Sequence, residues 1–313
     1  MGKSSKYWDE IERIKYEAKL FKNNRSEAIE QTFLEKVKAP VSTGYSGLDQ
    51  LLDGGLASGQ LIILGGAPGL GKTGLALTIM ENIAKSKQDV FVFSLEMSEN
   101  ELIARSISRQ SFLIEEERGN DPHSTAISHT TLLNNKRILY RSDNLKRFRE
   151  ALTSYCDQIG KYLPIFEGDS FHSIEQIEES VAKHVAITGV APVVLVDYLQ
   201  VISNSKPDLT RRERITESAL RLKSLARKYN TTVIAISSIN RNSYDKAIDM
   251  SSFKESGEIE YISDVLLGLQ INNPNPRYKE FKDLELSVIK NRTGSLGRIY
   301  LRGDMRFNQF IEI

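Results

Sequence analysis

One eight-residue segment, GAPGLGKT at positions 66–73, constrains the fold more than any other part of the sequence. It fits the pattern G-x-x-x-x-G-K-[ST] in full, with an apolar run before it and a helical pattern after it. Its glycines let consecutive backbone N–H groups point into one concavity, where the helix N-terminus helps them to hold phosphate oxygens. We therefore predict a strand, a phosphate-binding loop (the P-loop) and a helix. The residues predicted to bind the nucleotide are Gly66, Ala67, Pro68, Gly69, Leu70, Gly71, Lys72, Thr73 and Gly74.

The hydrophobic pattern from residue 61 to about 237 alternates between short apolar runs and helical segments. Continuous apolar runs are typical of parallel strands covered on both faces, and their alternation with helices predicts an α/β fold with right-handed crossovers. Beyond residue 260 the pattern indicates strands alone, which predicts antiparallel hairpin strands that extend the sheet. The predicted strands are LIILG (61–65), VFVFSLE (90–96), PVVLVD (192–197), TTVIAIS (231–237), DVLLGLQI (264–271), LELSVIK (284–290) and GRIYLR (297–302).

The first 40 residues are rich in charge and differ in pattern from the rest of the chain, so we predict a helical segment over 1–40 and a nucleotide-binding domain over 41–313. The N-terminal helix either packs on its own domain or docks on a neighbouring subunit, and Ser26 is a candidate cap for a second helix. Residues 111–162 are polar and irregular apart from a predicted helix from Asn144 to Ile159, and we assign them no chemical role. The side chains predicted to share one face of the N-terminal helix are Tyr7, Ile11, Ile14, Ala18 and Phe21.

The charge of the 313-residue chain is balanced, with 42 Lys and Arg against 41 Asp and Glu and a net charge of +1. A protein that coats nucleic acid usually shows a basic surplus, so the bulk charge does not indicate such a partner. Cys156 is the single cysteine, which excludes an intrachain disulfide and a multi-cysteine zinc site. No apolar run approaches the roughly 18 residues of a membrane span, and the N-terminus lacks the apolar core of a signal peptide. These features predict a cytoplasmic protein without membrane contact.

Two acidic residues follow predicted strands and are candidates for the chemistry of the P-loop. Asp197 ends the run VVLVD and is predicted to bind Mg²⁺ together with Thr73, while Lys72 is predicted to reach the β- and γ-phosphates. The residue after Asp197 is Tyr198, so no adjacent glutamate is available to activate water. Glu96, which ends VFVFSLE, is the candidate base, since the carboxyl ends of parallel strands meet at one edge of an open sheet.

The motifs together resemble the ATPase domain of DnaB-type replicative helicases, a branch of the RecA-like fold. The segments that carry the resemblance are STGYSGLDQLLDGGLASGQLIILGGAPGLGKT, SLEMSENEL, VVLVDYLQVI, FKESGEIEYISD and VIKNRTGSLG, in the order that the family has. The resemblance implies a ring-shaped hexamer that hydrolyses ATP with Mg²⁺ and moves 5′ to 3′ on single-stranded DNA. It also implies a primase or helicase loader as candidate partners. Because only about 40 residues precede the core, the chain resembles a short phage- or plasmid-type member, or a truncated one.

Further site residues are implied by the same resemblance. The KxRxG motif of the family matches Lys290, Arg292 and Gly294, where the basic pair would reach the γ-phosphate bound by the neighbouring subunit. The loop of the family that grips the DNA backbone corresponds to Lys254-Glu255-Ser256-Gly257, with Lys in place of the usual Arg, which keeps the charge but loses the bidentate fork. The residues implied to contact DNA are Arg241, Lys254, Glu255 and Gly257.

One position departs from the family pattern. Where the family has Ser-Gln after the fourth strand, this chain has Ser237-Ser238, and a serine hydroxyl is too short to span the same gap to the γ-phosphate without a water. Either the coupling of hydrolysis to movement is altered, or Asn240 or a water takes the place of the glutamine. Two alternatives stay open. One is a RadA-like branch-migration ATPase, whose motif Lys290-Asn291-Arg292-Thr293-Gly294 resembles, although RadA-like proteins carry a cysteine zinc module that this sequence lacks. The departure at Ser238 keeps open the other, a KaiC-like regulatory ATPase without translocation. A ring would also account for the net charge of +1, since only pore loops touch the strand.

Overall fold

The protein forms a nine-stranded sheet in a computed structural model that describes residues 38–134, 137, 142–168, 173–203, 209–244, 246–256, 258–272 and 281–313. Residues Pro40–Ile313 make up one compact unit. The helices predicted around Tyr7 and Ser26 lie outside the described residues. The strands in chain order are β1 (Leu61–Gly66), β2 (Val90–Ser94), β3 (Ile165–Glu167), β4 (Val193–Asp197), β5 (Val233–Ser238), β6 (Val265–Ile271), β7 (Phe281–Asn291), β8 (Gly297–Asp304) and β9 (Gln309–Glu312).

Helices connect the strands and cover both faces of the sheet. The helix that follows the P-loop and the two helices next to β4 run 14 residues or more. Short 3₁₀-helices at Leu199–Val201, Arg241–Ser243 and Met250–Ser256 follow β4 and β5. The α-helices of the described residues are α1 (Ser46–Leu51), α2 (Lys72–Lys85), α3 (Glu99–Glu117), α4 (Pro122–Thr125), α5 (His129–Asn134), α6 (Ser142–Tyr155, continued by a π-turn at Cys156–Gly160), α7 (Ile174–Thr188), α8 (Arg211–Lys228) and α9 (Ile259–Ile262).

The strand order is β3-β2-β4-β5-β1-β6-β7-β8-β9, with β1 to β6 parallel and β7 to β9 antiparallel. This confirms the predicted α/β fold, mostly parallel with antiparallel strands at its C-terminal end. Some details differ: the run 264–271 forms a strand that is parallel to β1, and the short strands β3 and β9 were not predicted. The described part of the segment 111–162 is more helical than predicted, because α3 continues to Glu117 and is followed there by α4, α5 and α6.

The core explains why these runs form strands. Along β1, Ile62 and Leu64 pack in one apolar cluster while Leu61 and Ile63 pack in a second cluster on the other face. Side chains alternate across a strand, so a strand that is apolar at every position is buried on both sides. The helices that follow β2 and β3 begin at capping boxes, in which Ser98 and Ser173 accept hydrogen bonds from backbone N–H groups three residues on.

The ends of the strands form two opposite edges of the sheet. Gly66 at the end of β1 pairs with Ser238 on one side and Leu269 on the other, so the carboxyl ends of the parallel strands form one edge. Strand β7 runs the other way: Leu284, near its start, pairs with Ile271, whereas Asn291 at its end pairs with Val265. The first residues of β7 therefore lie at the P-loop edge, and its last residues lie at the opposite edge.

Candidate nucleotide-binding site

The P-loop connects β1 to α2 with a backbone that turns sharply twice. Gly69 and Gly71 have φ angles of +75° and +95°, a left-handed backbone conformation that residues other than glycine rarely adopt. Helix α2 begins at Lys72, so its free N–H groups point towards the concavity of the loop. The predicted arrangement of strand, loop and helix is confirmed, and the segment is built to accept an anion.

Two lysines hold the loop in this structure. Nζ of Lys72 donates to the carbonyl oxygen of Ala67 at 2.9 Å, and Nζ of Lys282, near the start of β7, donates to the carbonyl oxygen of Gly69. Burial lowers the pKa of Lys72, while the nearby carboxylates of Asp197 and Glu96 oppose that shift. A bound phosphate group would add negative charge beside this half-buried lysine.

Asp197 lies at the end of β4 and is 2% exposed. Its Oδ2 accepts a hydrogen bond of 2.7 Å from the hydroxyl of Thr73, the second residue of α2. Burial raises the pKa of Asp197 to about 6, partly offset by the hydrogen bond from Thr73. A buried carboxylate whose charge is this poorly compensated, next to a hydroxyl oxygen, fits Mg²⁺, which prefers oxygen ligands and keeps several waters.

Glu96 follows β2 by two residues and lies exposed at the mouth of the same cavity. Its carboxylate is close enough to Lys72 and Asp197 to shift the pKa of both. The N-terminus of the next helix is capped by Ser98 and Glu101, so Glu96 is not used as a helix cap. The structure therefore brings together the four side chains that the sequence predicted for phosphate, metal and base.

The cavity above the P-loop has a volume of about 470 Å³ and contains residues that the sequence did not reveal. Arg105 on α3, Arg211 at the start of α8 and Lys282 join Lys72, so four basic side chains face two carboxylates. Burial lowers the pKa of Arg105, and its Nε is buried without a hydrogen-bond partner in the part of the chain that the structure describes. No motif marks these positions, because each reaches the cavity through tertiary packing. The surplus of positive charge suits a triphosphate.

The structure shows which side chains surround Ser238, the position that departs from the family pattern. Ser238 lies at the end of β5 and lines the cavity, as the glutamine of the family pattern would. Nε2 of Gln200, just beyond β4, donates to the hydroxyl of Ser237 at 2.8 Å, and its Oε1 lies 3.4 Å from the backbone N of Ser238. Oδ1 of Asn240 accepts from the backbone N–H of Asn242 at 3.0 Å and caps a 3₁₀-helix. Gln200, rather than Asn240, is therefore the amide side chain next to Ser238.

Lys290 and Arg292 lie at the opposite edge of the sheet from the P-loop. Nζ of Lys290 donates to the carbonyl oxygens of Glu260 (2.5 Å) and Ser263 (2.6 Å), and Nη2 of Arg292 donates to that of Tyr261 (2.7 Å). Along β7, eight residues separate Lys290 from the lysine that contacts the P-loop, which corresponds to roughly 27 Å at 3.4 Å per residue. The basic pair therefore cannot reach the P-loop of its own chain.

The residues implied to contact DNA lie beyond β5. Arg241 is exposed at the start of a 3₁₀-helix, and Lys254 and Glu255 belong to the 3₁₀-helix Met250–Ser256. Gly257 lies outside the described residues. The backbone N–H of Asn240 donates to the carbonyl oxygen of Ser252 at 2.8 Å and joins the two segments. A short backbone path thus leads from the end of β5 to the segment with Lys254.

Comparison with known proteins gives consistent results. The family described as "DnaB-like helicase C terminal domain" matches residues 40–312. The probable replicative DNA helicase of Trieres chinensis is 33% identical over an alignment of 286 residues, and the match covers 88% of this chain and 58% of that protein. The replicative DNA helicase DnaB of Treponema pallidum is 29% identical over 272 residues, 87% of this chain and 56% of that protein. The chain thus spans somewhat more than half the length of these two relatives.

Two solved structures share the fold. The ATPase domain of G40P superposes with a TM-score of 0.76 at 22% identity and covers 94% of this chain and 98% of that one. A DnaB-like replicative helicase, solved in a study of its interactions with primase, has a TM-score of 0.75 at 22% identity and covers 92% and 66% of the two chains. These likenesses confirm the RecA-like α/β fold. Among the described residues, no helix combines the length and the apolar character that a membrane span requires.

Proposed function

The chain belongs to the DnaB-like helicase C-terminal domain family, and on that premise we propose that it is the ATP-hydrolysing motor of a replicative DNA helicase. The motor acts as a hexameric ring that moves 5′ to 3′ on single-stranded DNA in the cytoplasm. The observation that carries the proposal is the Thr73–Asp197 contact of 2.7 Å beside Lys72, with Glu96 at the mouth of the same cavity. This is the set of groups that phosphoryl transfer to water requires.

The side chains have separate tasks in the proposed reaction. The N–H groups of the P-loop and Nζ of Lys72 hold the β- and γ-phosphates of ATP, and Thr73 and Asp197 hold Mg²⁺. When bound, Mg²⁺ neutralises charge that develops on the phosphate oxygens. The carboxylate of Glu96 orients a water and accepts its proton as the oxygen forms a bond to the γ-phosphorus and the bond to the β–γ bridging oxygen breaks. The products are ADP and inorganic phosphate.

A second subunit completes the site. Lys290 lies about 27 Å along β7 from Lys282, which contacts the P-loop of its own chain, and Arg292 lies two positions further on, so the charge of this pair is available only to a neighbouring chain. Basic residues supplied in this way raise the turnover of P-loop enzymes by roughly 10³ to 10⁵. The proposal therefore requires an oligomer, and the closed symmetry of a ring gives every site its pair.

Contact with DNA is proposed for Arg241 and for the segment with Lys254, Glu255 and Gly257. The net charge of +1 indicates weak binding by a single chain, with affinity that appears when a ring multiplies a few basic side chains. Each phosphate neutralised on a single strand contributes about 0.7 to the slope of log K against log salt. Opening one base-pair step costs about 1.4 kcal/mol in stacking, which hydrolysis coupled to a small step supplies. A primase or a helicase loader is a candidate further partner.

The decisive experiment measures ATP turnover with and without single-stranded DNA, alongside the native mass with and without nucleotide. We expect DNA to stimulate turnover at low salt and nucleotide to favour a hexamer. Turnover that single-stranded DNA leaves unchanged would favour a KaiC-like regulatory ATPase over a translocating motor. A preference for branched over single-stranded DNA would favour the RadA-like alternative. No turnover under any condition would overturn the assignment of the site itself.

A further inference from the structure

The segment between α3 and α6, to which the sequence assigned no role, contributes a side chain to the nucleotide cavity. Its described residues include two short helices, α4 and α5, and the second begins at His129. The imidazole of His129 is partly buried and lines the same cavity as Lys72 and Asp197. The titratable side chain of His129 therefore faces the cavity of the proposed nucleotide.

The hydrogen bonds of His129 fix its tautomer. The carbonyl oxygen of Arg306 accepts from the backbone N–H of His129 at 3.2 Å and lies 2.7 Å from its Nδ1. A carbonyl oxygen can only accept, so Nδ1 carries the hydrogen. Burial lowers the pKa of His129, which keeps the ring neutral at pH 7. Nε2 is then a lone-pair acceptor, and it has no hydrogen-bond partner among the described residues.

The position of His129 indicates which end of a nucleotide it would meet. Asp197 and Glu96 follow β4 and β2, which lie on one side of β1, and they mark the γ-phosphate end. Arg306, which holds His129, follows Met305 in the turn between β8 and β9, at the far end of the sheet on the other side of β1. Met305 is also next to the P-loop, since a Cβ on Gly71 would lie 3.1 Å from its sulfur. With the γ-phosphate held beside Asp197 and Glu96, as proposed above, the nucleoside of a bound nucleotide would extend towards this end of the cavity.

We propose that Nε2 of His129 accepts a hydrogen bond from a donor group on the nucleoside, so that the segment containing α4 and α5 forms part of the nucleotide site. The candidate donors are the 6-amino group of adenine and the hydroxyl groups of the ribose. The proposal rests on the nucleotide-binding part of the proposed function. It makes His129 a determinant of nucleoside recognition and leaves phosphoryl transfer to the groups described above.

Matched variants separate the two nitrogens of the ring. In H129N the amide nitrogen falls near the place of Nδ1, which preserves the hydrogen bond to Arg306 while removing the acceptor. In H129Q a polar group reaches the place of Nε2. His184, whose Nε2 lies 3.1 Å from Asp89 outside the cavity, provides the control H184N. Thermal unfolding establishes that each variant is folded.

The test is a binding cycle measured by calorimetry with the full chain. The ligands are ADP, 2′-deoxy-ADP, 3′-deoxy-ADP and purine riboside diphosphate, which lacks the 6-amino group. We expect H129N to bind ADP about 3- to 10-fold more weakly than wild type, with H129Q in between and H184N unchanged. One analogue should bind wild type more weakly by a similar factor but lose no further affinity in H129N, and that analogue identifies the donor.

Each other outcome is decisive. The proposal would be overturned if, for every analogue, the loss of affinity relative to ADP were the same in H129N as in wild type. In that case, retained binding of ADP would still support the nucleotide site. If wild type binds no ADP, the proposed function fails as well. If H129N does not fold, wild type alone decides: full affinity for all three analogues would show that Nε2 accepts from none of the missing groups.

Discussion

The hydroxyl of Thr73 donates to Oδ2 of Asp197 at 2.7 Å, although 124 positions separate the two residues in the chain. Thr73 lies in the first turn of α2, and Asp197 ends β4, a strand separated from β1 by β5. The contact joins the helix that follows the P-loop to the end of β4. It also leaves a carboxylate buried where no hydrogen bond or cation fully compensates its charge, which is why burial raises the pKa of Asp197 to about 6.

We expect D197N to stabilise the ligand-free protein above pH 6. The native carboxyl has a pKa of about 6 against 3.8 for the unfolded chain, so between these values the native state binds more protons and wild-type stability falls as the pH rises. Asparagine does not titrate. The difference in unfolding free energy should be on the order of 2 kcal/mol at pH 8 and vanish near pH 4, measured by denaturant unfolding at several pH values.

The control for this prediction is D157N, which changes an exposed aspartate in a surface pair with Lys161. This substitution should leave the unfolding free energy nearly unchanged at every pH. With Mg²⁺ and ADP present the order of D197N and wild type should reverse, because only wild type offers the carboxylate to the metal. A wild-type protein already more stable than D197N without ligand at pH 8 would contradict the explanation.

The sequence was sufficient for some parts of this molecule and not for others, for physical reasons. The sheet and the positions of Lys72, Thr73, Asp197 and Glu96 could be predicted, because buried parallel strands have a distinct apolar pattern and their carboxyl ends meet at one edge. The roles of these side chains stay predictions. Strands β3 and β9, with three and four residues, are too short to produce a period.

Other cavity residues could not be predicted because their function depends on tertiary packing. Arg105 is one basic residue among several charged positions of α3, and only the packing of that helix turns it inward. His129 belongs to a polar segment without periodicity, and its place is set by the carbonyl of Arg306, far away in the chain. Lys282 reaches Gly69 because β7 begins at Phe281, before the predicted run 284–290, and its first residues lie beside the P-loop.

We expect K72A to lower ATP turnover by at least about 100-fold, the usual cost of removing a group that stabilises transition-state charge. The reason is that Lys72 lies in the P-loop, where it is close enough to Asp197 and Glu96 for both carboxylates to affect its pKa. Phosphate release measured at saturating ATP provides the test. K183A, which removes an exposed lysine paired with Glu179, is the control and should behave as wild type. Undiminished turnover in K72A would show that the P-loop is not the catalytic site.

The position of Arg292 at the edge opposite the P-loop predicts catalysis shared between chains. We expect R292A and E96Q each to be nearly inactive alone. R292A lacks the arginine that would reach the site of the neighbouring subunit, and E96Q lacks the base. In mixed rings the Glu96 of an R292A subunit lies next to the Arg292 of an E96Q neighbour. This combination completes a site, so mixing should restore part of the turnover. R302A, an exposed arginine paired with Asp283, should remain active alone. Mixed rings with no recovered activity would argue against a site shared between chains.

The departure at Ser238 predicts weakened coupling between DNA binding and hydrolysis. Ser238 lines the cavity, and the chain continues through Asn240, whose N–H donates to the carbonyl of Ser252, into the segment proposed to bind DNA. In S238Q the longer side chain should span the gap to the γ-phosphate, so we expect a several-fold larger ratio of turnover with single-stranded DNA to turnover without it. S224Q, the same substitution at an exposed position of α8, controls for the change of side chain and should leave the ratio unaltered. An unchanged ratio in S238Q would show that the serine does not limit coupling, and Gln200, which contacts Ser237, would then be the residue to vary next.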